Sequence, residues 1–375
     1  MAFPDGGYFV MRYRWRGPTA VVHNGYSGSH GHKDANSIVI GIFDNQVVTD
    51  PGIWVYGTPE SAELTATRSH PTMTVDGRDT KNGDYQNRWT SLSQFDYLDA
   101  INGGFEGSDV IHRRRVVFIK PDTWVICDQV KGSGEHRFDI RLPLDDASVA
   151  DNGRGPPVSV NMLKDGCVVF PLDMTSAACL YPVETAGVEF KLEKGKTAQQ
   201  QVDGQLRDIP VARYSRRAAA RDQFKTMFVT VAATAFRATK LPDTDGAHAY
   251  RLDGLVTDGV VRLADPSTGP TPDTGECQVI THDLPKLAKP KVTSLFWVDG
   301  RVARDGKRLI AESQAPIAAL QVRYDRGTLY IDAEGEDPTL RVWTQGTKTL
   351  VVNGGERRQI ADGAEYVTPF ARGRS

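Results

Sequence analysis

The stretch that decides the fold is Ser37-Ile38-Val39-Ile40-Gly41-Ile42-Phe43-Asp44-Asn45-Gln46-Val47-Val48-Thr49-Asp50-Pro51-Gly52. Residues 37–43 and 46–49 are strand-like apolar runs, and the dipeptide between them is typical of a turn. The pattern predicts a β-hairpin. Antiparallel pairing returns Asp50 to the end of the hairpin at which the preceding loop, Ser29-His30-Gly31-His32-Lys33-Asp34-Ala35-Asn36, enters. Pro51-Gly52 then turns the chain away.

Short apolar runs divided by Gly, Pro, Asn and Asp recur along the whole chain. They lie at residues 72–75, 115–120, 124–129, 136–142, 187–192, 223–232, 292–298, 318–324, 328–333, 340–343 and 348–352. This alternation of short apolar runs and turn residues predicts an all-β protein built as an antiparallel β-sandwich of stacked sheets. Helical periodicity is scarce, and the candidate helices at 58–67, 210–222 and 283–287 are short or poorly apolar.

The segment 266–275 is rich in Pro, Thr and Gly, which is typical of a surface loop or linker. We expect a domain boundary there. Residues 1–265 would form the main β-sandwich domain, and residues 276–375 a smaller C-terminal β-sheet module. A chain of 375 residues is long enough for two domains or one large β architecture.

Composition excludes several classes of protein. The net charge is −2 and charged residues make up 25% of the chain, so no nucleic-acid-binding footprint is expected. No apolar run is long enough to span a membrane. The N-terminus lacks the charged and apolar regions of a secretory signal peptide.

Two histidines in the loop, the Asp after the hairpin and a third histidine further on suggest a metal site. His32, Asp50 and His70 would meet at one rim of the sheet, and two imidazoles with one carboxylate suit Zn²⁺ with a fourth position open. His30 would then face the groove beside the metal, and Asp34 would orient an imidazole. Spacing alone leaves open the alternative of scattered histidines and an ordinary Asp-Pro-Gly turn.

Three segments together resemble the heparinase II/III-like family, which includes oligo-alginate lyases and heparin or heparan-sulfate lyases. They are His30-Gly31-His32-Lys33-Asp34-Ala35-Asn36-Ser37, then Asp50-Pro51-Gly52, then Arg68-Ser69-His70-Pro71-Thr72-Met73-Thr74-Val75-Asp76-Gly77. The family pattern is H-x-H-x-D-x-x-S, then D-P-G, then R-S and H-N-T-v-x-v-D-G. The opening strand at 3–12 and the segments 112–118 and 124–128 are also similar to the family, so the specific resemblance covers about residues 3 to 140.

The resemblance places zinc on His32, Asp50 and His70, His30 in the substrate groove, and Arg68 against an anionic sugar. Pro71 departs from the family's Asn, which removes a side-chain donor and a backbone N–H. Lys33 takes a position that is often small in the family. Family members carry an N-terminal α/α toroid with principal catalytic residues, and no helical region of that size is expected here. The resemblance also implies a periplasmic or secreted protein.

The chemistry implied is β-elimination at a uronic acid of an anionic polysaccharide. His30 would neutralise the uronate or assist proton transfer. The zinc would hold the loop rather than act as a Lewis acid, since the family's acid and base lie on another domain. Tyr26 and Tyr56 are candidate substrate-binding phenols, with half-buried packing as the alternative.

Other interpretations of the chain stay open at this point. Residues 113–115, three consecutive arginines, would bind sulfate or carboxylate, or else lie in water at a strand edge. The chain is either the β-sandwich portion of a lyase, one piece of a split enzyme partnered by a helical toroid, or a non-catalytic glycan-binding or structural module. The substrate would be an alginate-like or glycosaminoglycan-like polymer or oligosaccharide. An unrelated zinc hydrolase is disfavoured because no HExxH motif is present.

Overall fold

The structure is a computed structural model that describes residues 1–375 apart from 29–30, 44, 146–159, 173–175, 203, 221–222, 233–235, 244–245, 254–257, 266–269, 272–274, 284–290, 336–338, 362–364 and 369–375. His30 and most of the predicted linker therefore lie outside the described residues. The only α-helix among the described residues is α1, Pro59–Thr65. No described helix has the length and apolar character needed to cross a lipid bilayer.

Strands account for most of the described chain. In order they are β1 Ala2–Phe3, β2 Tyr8–Arg12, β3 Thr19–His23, β4 Ser37–Ile42, β5 Asn45–Val48, β6 Met73–Val75, β7 Gln86–Ser91, β8 Phe95–Ile101, β9 Ile111–Ile119, β10 Thr123–Lys131, β11 Glu135–Pro143, β12 Asn161–Met162, β13 Val168–Pro171, β14 Ala177–Pro182, β15 Glu189–Val202, β16 Gln205–Ala219, β17 Gln223–Ala232, β18 Arg237–Lys240, β19 Ala247–Asp253, β20 Asp258–Ala264, β21 Cys277–His282, β22 Val292–Asp305, β23 Arg308–Asp325, β24 Thr328–Glu334, β25 Leu340–Trp343, β26 Thr349–Val352, β27 Arg358–Gln359 and β28 Glu365–Thr368.

The chain divides into two compact units. The first comprises Met1–Ser91 and Asp96–Thr234, and the second comprises Leu92–Phe95 and Ala235–Ser375. The division therefore falls near residue 235, not at the expected boundary of 266–275. That segment connects β20 to β21, which pair directly with each other in the second unit, so both sides of it belong to one sheet.

The first unit is an antiparallel β-sandwich. A five-stranded sheet runs β1-β2-β3-β4-β5, an eight-stranded sheet runs β12-β13-β14-β17-β10-β9-β8-β7, and a four-stranded sheet runs β15-β16-β11-β6. One buried cluster joins their inner faces, with Met11 and Ile38 from the first sheet, Trp124 from the second and Phe138 from the third. The all-β sandwich predicted from the sequence is confirmed.

Alternation along β2, β3 and β4 explains why the five-stranded sheet has one buried face. Phe9, Val22 and Ile40 point into the core and are at most 1% exposed. Their neighbours along the strands, Val10, Val21 and Val39, are only partly buried. A period of two places one set on the core and the other on the opposite face. The outward face forms the floor of the groove described below.

The second unit is a separate sheet in the order β18-β19-β20-β21-β22-β23-β24-β26-β27, with β25 pairing β23 and β28. Its pairs are antiparallel except for β24 and β26. It has its own buried cluster, which includes Trp297, Leu320 and Ile331.

The local predictions had mixed outcomes. The expected hairpin forms as β4 and β5, and the helix expected at 58–67 forms as α1, where the Thr58 side chain accepts a hydrogen bond from Ser61 N–H. The helix expected at 210–222 is wrong. Its described part lies mainly in β16, which pairs with β11 on one side and β15 on the other. Residues 284–287 of the third candidate helix lie outside the described chain.

Candidate metal centre and groove

His32, Asp50 and His70 lie together in the structure. Each offers one ligand atom, and these atoms lie within 4.8 Å of one another. The His32 and His70 rings are 4.9 Å apart between centroids. The three side chains that the sequence analysis selected therefore lie at one place in the structure.

The three residues come from three segments that hydrogen bonds hold together. Lys33, next to His32, donates its N–H to the Thr65 carbonyl at 2.9 Å, at the end of α1. The Thr67 hydroxyl donates to the Lys33 carbonyl at 2.6 Å. The loop that carries His32 is thus fixed to the segment that leads into His70.

Asp50 is fixed by the turn that follows β5. Its Oδ1 accepts the N–H of Gly52 at 2.9 Å, and its backbone carbonyl accepts from Gln199 Nε2 at 2.8 Å. The Pro51 carbonyl accepts from Thr197 Oγ1 and from the Ala198 N–H, both on β15. Gly52 has a φ of +77°, a conformation that glycine adopts without strain.

His70 is poised to bind a cation. Its Nδ1 lies 2.9 Å from Asp50 Oδ2. Because an ionised carboxylate can only accept, Nδ1 carries the proton, and in a neutral imidazole this leaves a lone pair on Nε2. That Nε2 is buried and has no hydrogen-bond partner. A buried, unpartnered nitrogen beside His32 fits a metal ion, and the Asp50 carboxylate fixes the tautomer of His70 that leaves this nitrogen free.

The electrostatics favour the forms that bind metals. Burial lowers the pKa of His32, and neighbouring His70 lowers it further against the opposing effect of Asp50. The His32 imidazole is therefore kept neutral. Burial alone would raise the pKa of Asp50, but the hydrogen bond and proximity of His70, together with the Gly52 N–H, hold that pKa below its ordinary value.

A cavity of about 580 Å³ opens beside these residues on the outward face of the five-stranded sheet. Its described lining includes His32, Asp50, Tyr8, His23 and Tyr26. Tyr26, predicted as a groove residue, is exposed and lies in this lining. Tyr56 is exposed as well, but it is not among the described lining residues.

Arg68 and Asp34, predicted to contact the sugar and a metal-site histidine, have other partners in the structure. The Arg68 guanidinium pairs with Glu63 through both nitrogens of its fork, and its backbone carbonyl accepts from Arg141 Nε at 2.6 Å. Asp34 does orient an imidazole, as expected, but that of His23 rather than a metal-ligand histidine. The distance from His23 Nδ1 to Asp34 Oδ2 is 3.0 Å.

The expectation for the three arginines is wrong for two of them. Arg114 and Arg115 are at most 1% exposed on β9, a strand covered on both faces. Arg114 pairs with Asp128 on neighbouring β10 at 2.7 Å and 3.0 Å. His112 Nε2 also donates to Asp128, at 2.6 Å. A solvated strand edge is therefore not the environment of this cluster.

Arg114 hydrogen-bonds to both loops that carry the histidines of the candidate metal site. Its Nη1 donates to the carbonyls of Asn36 at 2.7 Å and Pro71 at 3.0 Å. Asn36 follows the His32 loop, and Pro71 follows His70 directly. Burial alone would raise the pKa of Asp128, but the charge of Arg114 and the hydrogen bonds lower it to about 2. The arginine is thus held by a permanent counter-charge while it fixes both loops.

The groove also contains residues that sequence reasoning missed, Tyr8 and His23. They lie opposite each other in the β2–β3 register. The alternation of buried and exposed residues along β2 and β3 places both side chains on the outward face. The sequence does not show that they are neighbours, because the register of β2 against β3 is not apparent from the chain alone.

With this geometry established, comparison with known proteins shows the family. Residues 1–213 match the description "Heparinase II/III-like, C-terminal", and the chain belongs to this family. No curated protein sequence matches the chain significantly.

Solved structures are similar in fold. Heparan sulfate lyase HepC from Pedobacter heparinus has a TM-score of 0.57 and 16% identity, and the match covers 74% of this chain and 41% of that one. A heparinase III with methylated lysines has a TM-score of 0.57 and 17% identity, over 76% of this chain and 42% of that one. Another heparinase III has a TM-score of 0.54 and 15% identity, over 66% and 40%. The chain spans about two fifths of the length of these proteins.

Proposed function

We propose that this chain is the β-sandwich portion of a polysaccharide lyase that acts by β-elimination at uronic acid residues of an anionic polysaccharide. The observation that carries the proposal is the meeting of His32, Asp50 and His70 at the wall of an open groove, with His70 Nε2 buried and unpartnered, in a chain of the heparinase II/III-like family. One of the structures similar in fold, HepC, is named as a heparan sulfate lyase, which supports the same class of reaction here.

His32, Asp50 and His70 would hold a zinc ion. Zinc bound there would supply a fixed positive charge that ties together three separate segments of backbone. A holding role suits the surroundings, because each ligand already sits in a loop braced by Thr65, Thr67 or Gln199. Positions of the groove side chains would then be set before substrate arrives.

β-Elimination needs three tasks performed. The uronate carboxylate must be neutralised, the C5 proton removed, and the leaving 4-oxygen protonated. His30 is our proposed catalytic residue on this chain, because the H-x-H motif places it two residues from His32. Tyr26 lies at the groove and Tyr56 is exposed, and both stay proposed substrate-binding residues. Arg68 would reach an anionic sugar only by giving up Glu63.

The experiment is an elimination assay on the chain with added zinc. Alginate, heparan sulfate and hyaluronate are each incubated with it, and the ultraviolet absorbance of the unsaturated uronate product is followed. We expect a signal with at least one polymer and its loss in His30→Ala. A matched control is His136→Ala, which removes a histidine that bonds Asp76 and Ser133 instead of lining the groove.

The outcomes separate the classes of protein. Absence of product from all three polymers would refute a stand-alone lyase. Polymer binding without product would instead support a glycan-binding module, or a chain that needs a helical partner domain to complete the site.

A further inference from the structure

The Tyr8 and His23 side chains form a stacked pair in the groove. Their backbones are directly paired between β2 and β3. The ring centroids lie 4.4 Å apart, and the planes are inclined by 23°. Phe9 and Val22, the next residues along the two strands, point into the core. The stack therefore stands on the outward face of the sheet, on rigid backbone.

The His23 ring of the stack is fixed by hydrogen bonding. His23 is 7% exposed, and its Nδ1 donates to Asp34 Oδ2 at 3.0 Å. Asp34 Oδ1 accepts from the Ser27 hydroxyl at 3.3 Å. Tyr8 covers this fixed imidazole with one face and is itself 47% exposed. A flat aromatic surface is thus presented to the groove, and ordering it on binding costs little entropy.

The groove has the size and lining of a small-ligand site. A volume of about 580 Å³ lies within the ordinary range for such sites. Val21 and Val39 contribute apolar floor beside the stack. No lysine or arginine is among the described lining residues, whereas Asp34 and Asp50 both are. Burial and these two carboxylates raise the pKa of Tyr8, so its ring stays uncharged.

We propose that the Tyr8–His23 stack is a sugar-binding subsite of this groove, and that it takes the apolar face of a pyranose ring carrying no sulfate. The axial C–H groups of a pyranose pack on the open face of Tyr8, and the Asp34 carboxylate beside the stack, with no lysine or arginine among the described lining residues, disfavours a sulfate there. The inference rests on the proposed function, since it assigns part of the substrate of that same groove.

The experiment measures binding of three tetrasaccharides by calorimetry, from alginate, from unsulfated heparosan and from heparan sulfate. KM replaces Kd for any sugar that is turned over. The variants are Tyr8→Phe, which keeps the ring, and Tyr8→Ala, which removes it. Tyr8→Leu serves in place of Tyr8→Ala if that variant does not fold. The matched control is Tyr13→Ala, because Tyr13 is exposed to the same extent but is not among the described lining residues.

We expect an unsulfated sugar to bind the wild type more tightly than its sulfated counterpart. Tyr8→Phe should bind within about twofold of the wild type, and Tyr8→Ala about tenfold more weakly, the upper range for one aromatic contact. Tyr13→Ala should match the wild type.

Several results would overturn the subsite. They are no binding of any of the three sugars, unchanged binding in Tyr8→Ala, equal losses in Tyr8→Phe and Tyr8→Ala, or tighter binding of the sulfated sugar. Failure of the proposed function is distinguishable, because Tyr8-dependent binding without any unsaturated product would refute a stand-alone lyase and leave the subsite standing.

Discussion

Replacing Arg114 by alanine removes a buried side chain that hydrogen-bonds to both loops of the candidate metal site. Its Nη1 donates to the Asn36 and Pro71 carbonyls, and its Nε and Nη2 hold Asp128. The variant would leave the Asp128 carboxylate buried with His112 as its remaining partner. Both carbonyls would also lose a charged donor.

The magnitude follows from burial. Removing one partner of a buried ion pair costs about 3–5 kcal/mol, because the other charge is left uncompensated. The two lost carbonyl hydrogen bonds are part of the same network, so their costs do not simply add. We expect a loss of about 4 kcal/mol in the free energy of unfolding of the first unit. For a unit of this size, that corresponds to a fall of about 10 °C in Tm.

Thermal unfolding and amide hydrogen exchange measure the two consequences. Exchange should accelerate most at Lys33, whose N–H bonds Thr65, and at Ile38, whose N–H bonds the Pro71 carbonyl. The matched control is Arg113→Ala on the same strand, where the guanidinium is 25% exposed and pairs with Asp99. That variant should lose about 1 kcal/mol. Equal losses in the two variants, or unchanged exchange at Lys33 and Ile38, would refute the account of Arg114.

Three further predictions concern single positions. Burial raises the pKa of Asp122 to about 6 from an ordinary 3.8, so the free energy of unfolding of the wild type falls by up to about 3 kcal/mol as the pH rises from about 4 to above 6. Asp122→Asn should therefore raise Tm at pH about 7.5 and not at pH about 4, and an equal effect at both pH values would contradict the assignment. A Cβ on Gly103 would lie 2.7 Å from the Cα and N of Gly83, so Gly103→Ala should lower the free energy of unfolding, measured with urea, by about 2 kcal/mol. An unchanged free energy of unfolding would refute the close approach. Gly52→Ala should lower the free energy of unfolding by about 1–2 kcal/mol, because alanine is strained at this positive φ. It should also shift Asp50 and so weaken zinc binding measured by calorimetry, and an unchanged zinc affinity would count against that coupling.

The parts of the molecule that local sequence determines were predicted well. The β4–β5 hairpin follows from two apolar runs and a turn, and the position of Asp50 follows from where that hairpin ends. The choice of His70 depended mainly on the resemblance to the heparinase II/III-like family. The class of fold follows from the recurrence of such runs. These features depend on neighbours in sequence, which the chain displays directly.

What depends on distant pairing was missed. Arg114 and Arg115 look like surface residues until Asp128 is placed on the next strand and both faces of β9 are covered. The described part of the 210–222 segment is mainly strand because β11 and β15 pair with it on both sides. Tyr8 and His23 are brought together only by the β2–β3 register. Each of these requires a partner far along the chain.

The central claim is that His32, Asp50 and His70 hold one zinc ion, and metal analysis tests it most directly. The chain is equilibrated with zinc, dialysed against a weak chelator, and its zinc content is measured for the wild type, His32→Ala, His70→Ala and the control His136→Ala. We predict about one zinc per chain for the wild type and the control, and little in the two ligand variants. Equal zinc in the wild type and His32→Ala, or none in the wild type, would contradict the claim.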